Sequence, residues 1–151
     1  MLLAKNRKAF FEHEILERYT AGISLRGYEV KAIREGKANF SDSYVQILSE
    51  VPVILNMYIG AYSKQSQRFN EADSRRSRKI LLKKGEIEKI QRELMEKGRT
   101  AIPLALILEH NMVKLEFGIA KGRKKEEKKH VEKERQIKID LERTVKESFR
   151  S

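Results

Sequence analysis

The chain has 151 residues, of which 33 are Lys or Arg and 22 are Asp or Glu, for a formal net charge of +11 at neutral pH. That length allows one domain with an appendage, and the charge favours a polyanionic partner, nucleic acid before membrane. Without cysteine there is neither a disulfide framework nor a thiolate zinc site. No apolar run reaches the roughly 18 residues of a membrane span, and Met1 to Lys5 is too short for a secretion signal, so the expected location is cytoplasmic.

Asn6, Arg7 and Lys8 open the chain with positive charge. Phe11, His13 and Ile15 then alternate with Glu12 and Glu14, a period of two that predicts a first strand. Thr20-Ala21-Gly22 predicts a turn, and Ile23 and Leu25 a second strand ending at Gly27. Val30 and Ile33 lie three apart on one face of a short helix that stops at Gly36, while Lys31, Arg34 and Lys37 project elsewhere as a fan of cations suited to an anion. Ser41-Asp42-Ser43 turns into a third strand, Tyr44 to Leu48. After a hairpin at Ser49-Glu50, Val53, Leu55, Met57 and Ile59 alternate as a fourth.

Residues 60–77 are polar and aperiodic, and their end carries Arg75, Arg76, Arg78 and Lys79. A connection of that length points to function or disorder. Ile87, Ile90 and Leu94 mark a second helix over Lys83 to Lys97, closed by Gly98. Two further alternating strands, 100–108 and 113–120, flank a tight turn at His110-Asn111. The expected fold is mainly β: a small antiparallel six-stranded barrel of the oligonucleotide-binding kind, with two or three short helices and a basic C-terminal tail.

Composition places the RNA-binding body at 1–120 and the tail at 121–151, where twelve Lys or Arg face seven Asp or Glu. Ile137, Leu141, Val145 and Phe149 recur every four residues, a single stripe that cannot build a core alone. The tail is therefore expected to be disordered when free and helical against a partner. His13, His110 and His130 are scattered, and no metal-ligand spacing, nucleophile elbow or phosphate-cradling glycine loop is present. No metal, no cofactor and no enzymatic activity are expected. The low aromatic content, 7%, argues for recognition of a folded RNA by shape and phosphate contact over base stacking. The alternative is a barrel that binds single-stranded nucleic acid in general.

Several motifs in order resemble the small protein B family, the SsrA (tmRNA)-binding proteins. They are Asn6-Arg7-Lys8-Ala9, Ala21-Gly22-Ile23, Gly27-x-Glu29-Val30-Lys31, Arg34-x-Gly36-Lys37-Ala38-Asn39, Asp42-Ser43-Tyr44, Arg76-x-Arg78-Lys79-Ile80-Leu81-Leu82 and Ala120-Lys121-Gly122-Arg123-Lys124. The resemblance implies a role in trans-translation. The body would hold the tRNA-like domain of tmRNA, and the tail would enter the mRNA channel and decoding site of a stalled ribosome, the protein acting as a monomer away from any membrane. It places RNA contacts at Lys31, Arg34, Leu81 and Lys114. With the neighbouring motif and charge positions, the candidate set in the body is Thr20, Gly22, Glu29, Lys31, Arg34, Lys37, Arg78, Lys79, Leu81 and Lys114. In the tail it is Lys121, Gly122, Arg123, Lys124, Lys125, Glu126, Lys128 and Lys129. Glu29 would either accept hydrogen bonds from base or ribose or brace the neighbouring cations. Thr20 stands where the family carries an acid, Asp73-Ser74 where it carries Asp-Pro, and Glu126 where it carries His or an aromatic.

Overall fold

A computed structural model of the chain describes residues 1–65 and 69–123 and, in the tail, 132–133, 135–137 and 139–140. In chain order the elements are β1 (Leu2–Lys5), α1 (Arg7–Glu12), β2 (His13–Ile23), α2 (Gly27–Arg34), β3 (Ala38–Asn39), β4 (Tyr44–Leu48), β5 (Val51–Leu55), β6 (Tyr58–Ile59), β7 (Arg78–Leu81), α3 (Lys84–Leu94), β8 (Arg99–Glu109) and β9 (Met112–Gly122), with a 3-10 turn at Glu71–Asp73. Six strands follow one another antiparallel as β8, β4, β5, β7, β2 and β9, and β9 pairs back on β8 to close the ring. β1 adds to β8 on the side β4 occupies, and β3 and β6 form a separate short ladder. This is the mainly β, six-stranded antiparallel barrel expected from the alternation, with three short helices among the described residues up to 123.

The membership of the ring differs from the expectation in a physically clear way. No turn occurs at Thr20-Ala21-Gly22, where the chain continues as β2, paired with β9 from His13 opposite Gly122 to Gly22 opposite Lys114. Tyr19 and Ala21 are buried while Arg18 and Thr20 are exposed, so the strand alternation persists through the small residues. Of the second strand expected after that turn, Ile23 ends β2, Leu25 lies outside any strand and Gly27 begins α2. Its place in the ring is taken by β7, hidden in sequence because one of its two inward-facing residues is Arg78 and the other Ile80.

Phe11 belongs to α1, not to a strand. Asn6 caps that helix through Oδ1, which accepts from Ala9 N at 3.3 Å, and its Nδ2 donates to Pro103 O at 2.8 Å. The expected fourth strand is split at Asn56, whose φ of +61° ends β5 and sends β6 to pair with β3. Both expected hairpins are present. Ser49 with Glu50, and His110 with Asn111, have positive φ at both central positions, the geometry that matches strand twist.

The interior is filled by Ile33, Ile54, Met57, Ile59, Ile80, Leu106, Leu115, Phe117 and Ile119, with Tyr19 stacked on Phe117 at 5.4 Å between centroids. α2 contributes Ala32 and Ile33 to this core and α3 contributes Ile90. Ala9 of α1 joins a smaller cluster with Ile102, Leu104 and Ala120. At Gly118 a side chain would meet Glu17 O and Ile15 Cγ2 at 3.0 Å, tighter than ordinary contact, so glycine eases β9 past the bulge between Ile15 and Glu17.

Candidate nucleic-acid interface

Strand pairing brings three of the candidate residues into one row. Gly22 on β2 lies opposite Leu81 on β7 and, on its other side, opposite Lys114 on β9. Inward residues Ile80, Ala21 and Leu115 alternate with these, so the row faces outward. Leu81 is 57% exposed, unusual for a large aliphatic side chain, and it rests on Gly22, where a Cβ would sit 3.3 Å from Leu81 Cβ. Lys79 and Thr20, two residues along their strands, extend the same face, with Glu116 opposite Thr20. Lys114 Nζ lies 3.5 Å from Glu109, which places its ammonium at the rim of the row. The result is a shallow strip with an apolar centre, where Leu81 packs over Gly22, and cations at its margins. It can meet sugar, backbone and phosphate together.

The cation fan of α2 is only partly free. Lys31 Nζ stands 5.4 Å from the centroid of the Tyr62 ring. Lys37 Nζ donates to Ala61 O at 2.8 Å and pairs with Glu35 at 3.3 Å. Both ammonium groups therefore hold the segment that follows β6 against the end of α2. Glu35 completes the attachment by accepting from Ser63 N and Ser63 Oγ, which with Lys37 holds its carboxyl below the usual carboxylate range. Arg34 is exposed and has no hydrogen bond or ion pair among the described residues, which makes it the cation of the three most available to a phosphate.

Glu29 and Arg78 are elsewhere: inside. Arg78 has no exposed surface. Its Nε donates to Glu29 Oε2 at 2.7 Å, Nη1 to Met57 O at 2.6 Å and Arg76 O at 3.2 Å, and Nη2 to Ser74 O at 3.1 Å with Glu29 Oε2 at 2.6 Å. The other Glu29 oxygen accepts from Arg76 Nη2 and from Arg26 N, the latter at 2.8 Å, closing the first turn of α2. Of the two roles open to Glu29, the geometry is that of the brace. As a candidate RNA contact Arg78 stands corrected in this fold, because its donors are turned to protein acceptors and a phosphate has no path to it.

Burial pushes the Glu29 carboxyl up, but Arg76, the Arg26 N–H and Arg78 outweigh it and hold the group below its ordinary value. Burial likewise draws the Arg78 guanidinium down, opposed by Glu29, and an arginine so paired stays charged. Ser74, at the position of the family's proline, is held by its own bonds: Ser74 Oγ donates to Glu71 O at 2.7 Å and Ser74 O accepts from Ile59 N at 2.9 Å.

Of the tail candidates, Lys121 and Gly122 continue β9, opposite Glu14 and His13. Arg123 N–H donates to Glu12 O at 2.8 Å and its Nε to His13 O at 3.1 Å. Lys124, Lys125, Glu126, Lys128 and Lys129 lie outside the described residues, as do Leu141, Val145 and Phe149 of the apolar stripe. Ile137 is helical and exposed. Among the described residues no cluster of His, Asp and Glu is arranged to hold a metal, and no helix is long and apolar enough to cross a membrane.

Sequence reasoning gave no role to a cleft of about 600 Å³ between the start of the chain and the loop before β4. It is lined by Lys5, Arg7 and Lys8 on one side and by Asn39, Ser41 and Asp42 on another. Its signal was present in the two motifs that form it, Asn6 to Ala9 and Asp42 to Tyr44. Their juxtaposition was not, because it depends on β1 pairing with β8.

Comparison with known proteins bears on the family and the fold. The family described as SmpB protein matches residues 3–147. An SsrA-binding protein of Acaryochloris marina is 41% identical over 145 residues, covering 96% of this chain and 94% of its own. That of Gloeobacter violaceus is 45% identical over 145 residues with the same coverage, and that of Staphylococcus epidermidis is 42% identical over 147 residues, covering 97% and 93%. Among solved structures, a chain described as "tmRNA-SmpB: a journey to the center of the bacterial ribosome" superposes with a TM-score of 0.68 at 37% identity, over 81% of this chain and 85% of that one. With identity at this level along almost the whole length and the same barrel beneath it, the chain belongs to the SmpB protein family.

Proposed function

We propose that this chain binds tmRNA and serves trans-translation, delivering tmRNA to stalled ribosomes so that the nascent peptide is tagged and the ribosome released. The observation that carries the reading is the identity of 41–45% with SsrA-binding proteins across about 94% of their length. In this reading the tRNA-like domain of tmRNA lies on the outward strip of Leu81, Gly22, Lys114, Lys79 and Thr20, with Arg34 supplying phosphate contact. The tail from Lys124 onward, beyond the Arg123 anchor, carries the ribosome-binding function at the decoding site and mRNA channel. The activity is one of binding and delivery, with no chemical step assigned to the chain.

The test is a pair of measurements on the full chain and on a chain ended after Arg123, which keeps the Glu12 and His13 contacts. Both are expected to bind the tRNA-like domain more tightly than an unrelated hairpin in a gel shift, and only the full chain to support tagging on a stalled message. Equal affinity for the unrelated hairpin would overturn the role of the body. Preference for unstructured single strands would favour a general nucleic-acid-binding barrel. Tagging by the shortened chain would overturn the role of the tail.

A further inference from the structure

Beside the end of α2, the β3–β6 ladder borders a second cleft, of about 400 Å³, lined by Gly36, Lys37, Ala38, Asn39, Tyr58, Gly60 and Ala61. Its one aromatic wall is Tyr58. Arg75 stands over that ring, 5.4 Å from its centroid, yet is not among the residues lining the cleft. The guanidinium is fixed there by donating to Asn56 O at 3.1 Å. The ring thus carries a positioned cation while part of its surface remains open to the cleft.

The floor is kept clear by Gly60, where a Cβ would sit 3.3 Å from the Tyr58 hydroxyl and 3.4 Å from Lys37 Cβ. Gly60 N donates to Lys37 O at 2.9 Å, so the floor cannot drift away from α2. Two polar groups border the opening. Asn39 uses its Oδ1 to accept from Ser41 N at 2.8 Å, which leaves its amide N–H pair to face a ligand. Lys37 Nζ, bonded to Ala61 O and paired with Glu35, retains a third N–H at the rim. A flat apolar wall, a cation over the same ring, amide donors at the edge and an ammonium at the mouth are the elements that recognise an unpaired nucleotide.

We propose that this cleft receives one unpaired RNA base, stacked on Tyr58 and read at its acceptor edge by Asn39, with its phosphate at Lys37. The inference rests on the reading of the chain as a tmRNA-binding protein and adds to it a base-contacting subsite apart from the Leu81–Gly22–Lys114 strip. It also revises the expectation that stacking contributes little: few aromatics are needed if one is placed in a cleft.

The experiment uses the full chain and the tRNA-like domain of tmRNA, with 2-aminopurine substituted at each unpaired position in turn. Binding of the unmodified chain is expected to quench fluorescence strongly at one position. Tyr58→Leu is expected to abolish that quench and weaken binding roughly 5- to 150-fold, the loss of one base–aromatic stack. Tyr58→Phe should behave as the parent. If Tyr58→Leu melts early, Asn39→Asp replaces it: the oxygen that accepts from Ser41 N is kept and the amide donors are lost, so binding should weaken while the melting temperature stays. Absence of any quenched position, or a folded Tyr58→Leu chain binding as tightly as the parent, overturns the subsite while leaving the tmRNA reading in place. A parent chain that does not prefer the tRNA-like domain over a hairpin overturns both.

Discussion

Glu29 and Arg78 stand 49 residues apart in the chain and meet with their charges almost wholly withdrawn from water. Such a pair is held by geometry, since desolvating two ions costs several kcal/mol and is recovered only when the remaining donors and acceptors are also bonded. Here they are: Arg78 links α2 to the carbonyls of Met57, Ser74 and Arg76, and so fastens the irregular stretch before β7 to the helix. Removing the cation alone strands the carboxylate. Arg78→Leu is expected to cost about 3–5 kcal/mol in urea denaturation at neutral pH. The sign with pH follows from Glu29, whose folded value lies below its ordinary 4.5: in the parent chain its contribution is complete above that value and is lost as pH falls through the folded value. In the Arg78→Leu chain the stranded group can take up a proton instead, so the deficit relative to the parent should narrow as pH is lowered from about 5. Bracing of cations was one of two roles open to Glu29 in sequence, whereas Arg78's was not legible at all. An arginine within a basic run reads as surface charge, and only a contact made 49 residues away turns it inward.

At the scale of elements, α3 shows how much of a helix can be read and how much cannot. The spacing of Ile87, Ile90 and Leu94 gave the helix and its apolar face, and Ile90 is indeed fully buried. What the helix covers depends on the ring beneath it, where Ile90 joins Tyr19 and Phe117 in one core. Ile90→Ala should therefore cost about 2–5 kcal/mol by loss of burial and a residual cavity. Lys89→Ala, which removes the exposed ion pair with Glu17, should leave the midpoint nearly unchanged, because water screens it. Denaturant midpoints of the two variants, one residue apart, measure that contrast directly. β2 makes the opposite point. Its small residues Ala21 and Gly22 read as a turn, but the ladder to β9 supplies backbone partners through Gly22 and holds the strand straight.

Over the whole molecule the net charge of +11 predicted a polyanionic partner without saying which cations would meet it. The structure divides them. Arg78 is consumed internally, Lys31 and Lys37 anchor the segment after β6 while staying exposed, and Arg34 and Lys79 are exposed without such contacts among the described residues. Binding of the tRNA-like domain should weaken steeply with salt. Substituting Lys79 or Arg34 by Ala should each lower the slope of log affinity against log salt by about 0.7–0.9, whereas Lys31→Ala should act mainly on thermal stability. A titration of affinity between low and moderate salt for the three variants separates these outcomes.

What the sequence determined by itself was local or additive: the alternation that makes strands, the two hairpin turns with positive φ, the helical spacing of α2 and α3, and the sign of the charge. Those follow from residues within a few positions of each other, where side-chain periodicity and turn stereochemistry act. Motif order added the family. Only the tertiary structure decided that β2 runs unbroken, that β7 completes the ring, that Gly22, Leu81 and Lys114 share a row, and that Glu29 faces inward. Each of these is settled by a backbone or side-chain partner far along the chain, and the cost of leaving such groups unpaired in the interior selects one arrangement.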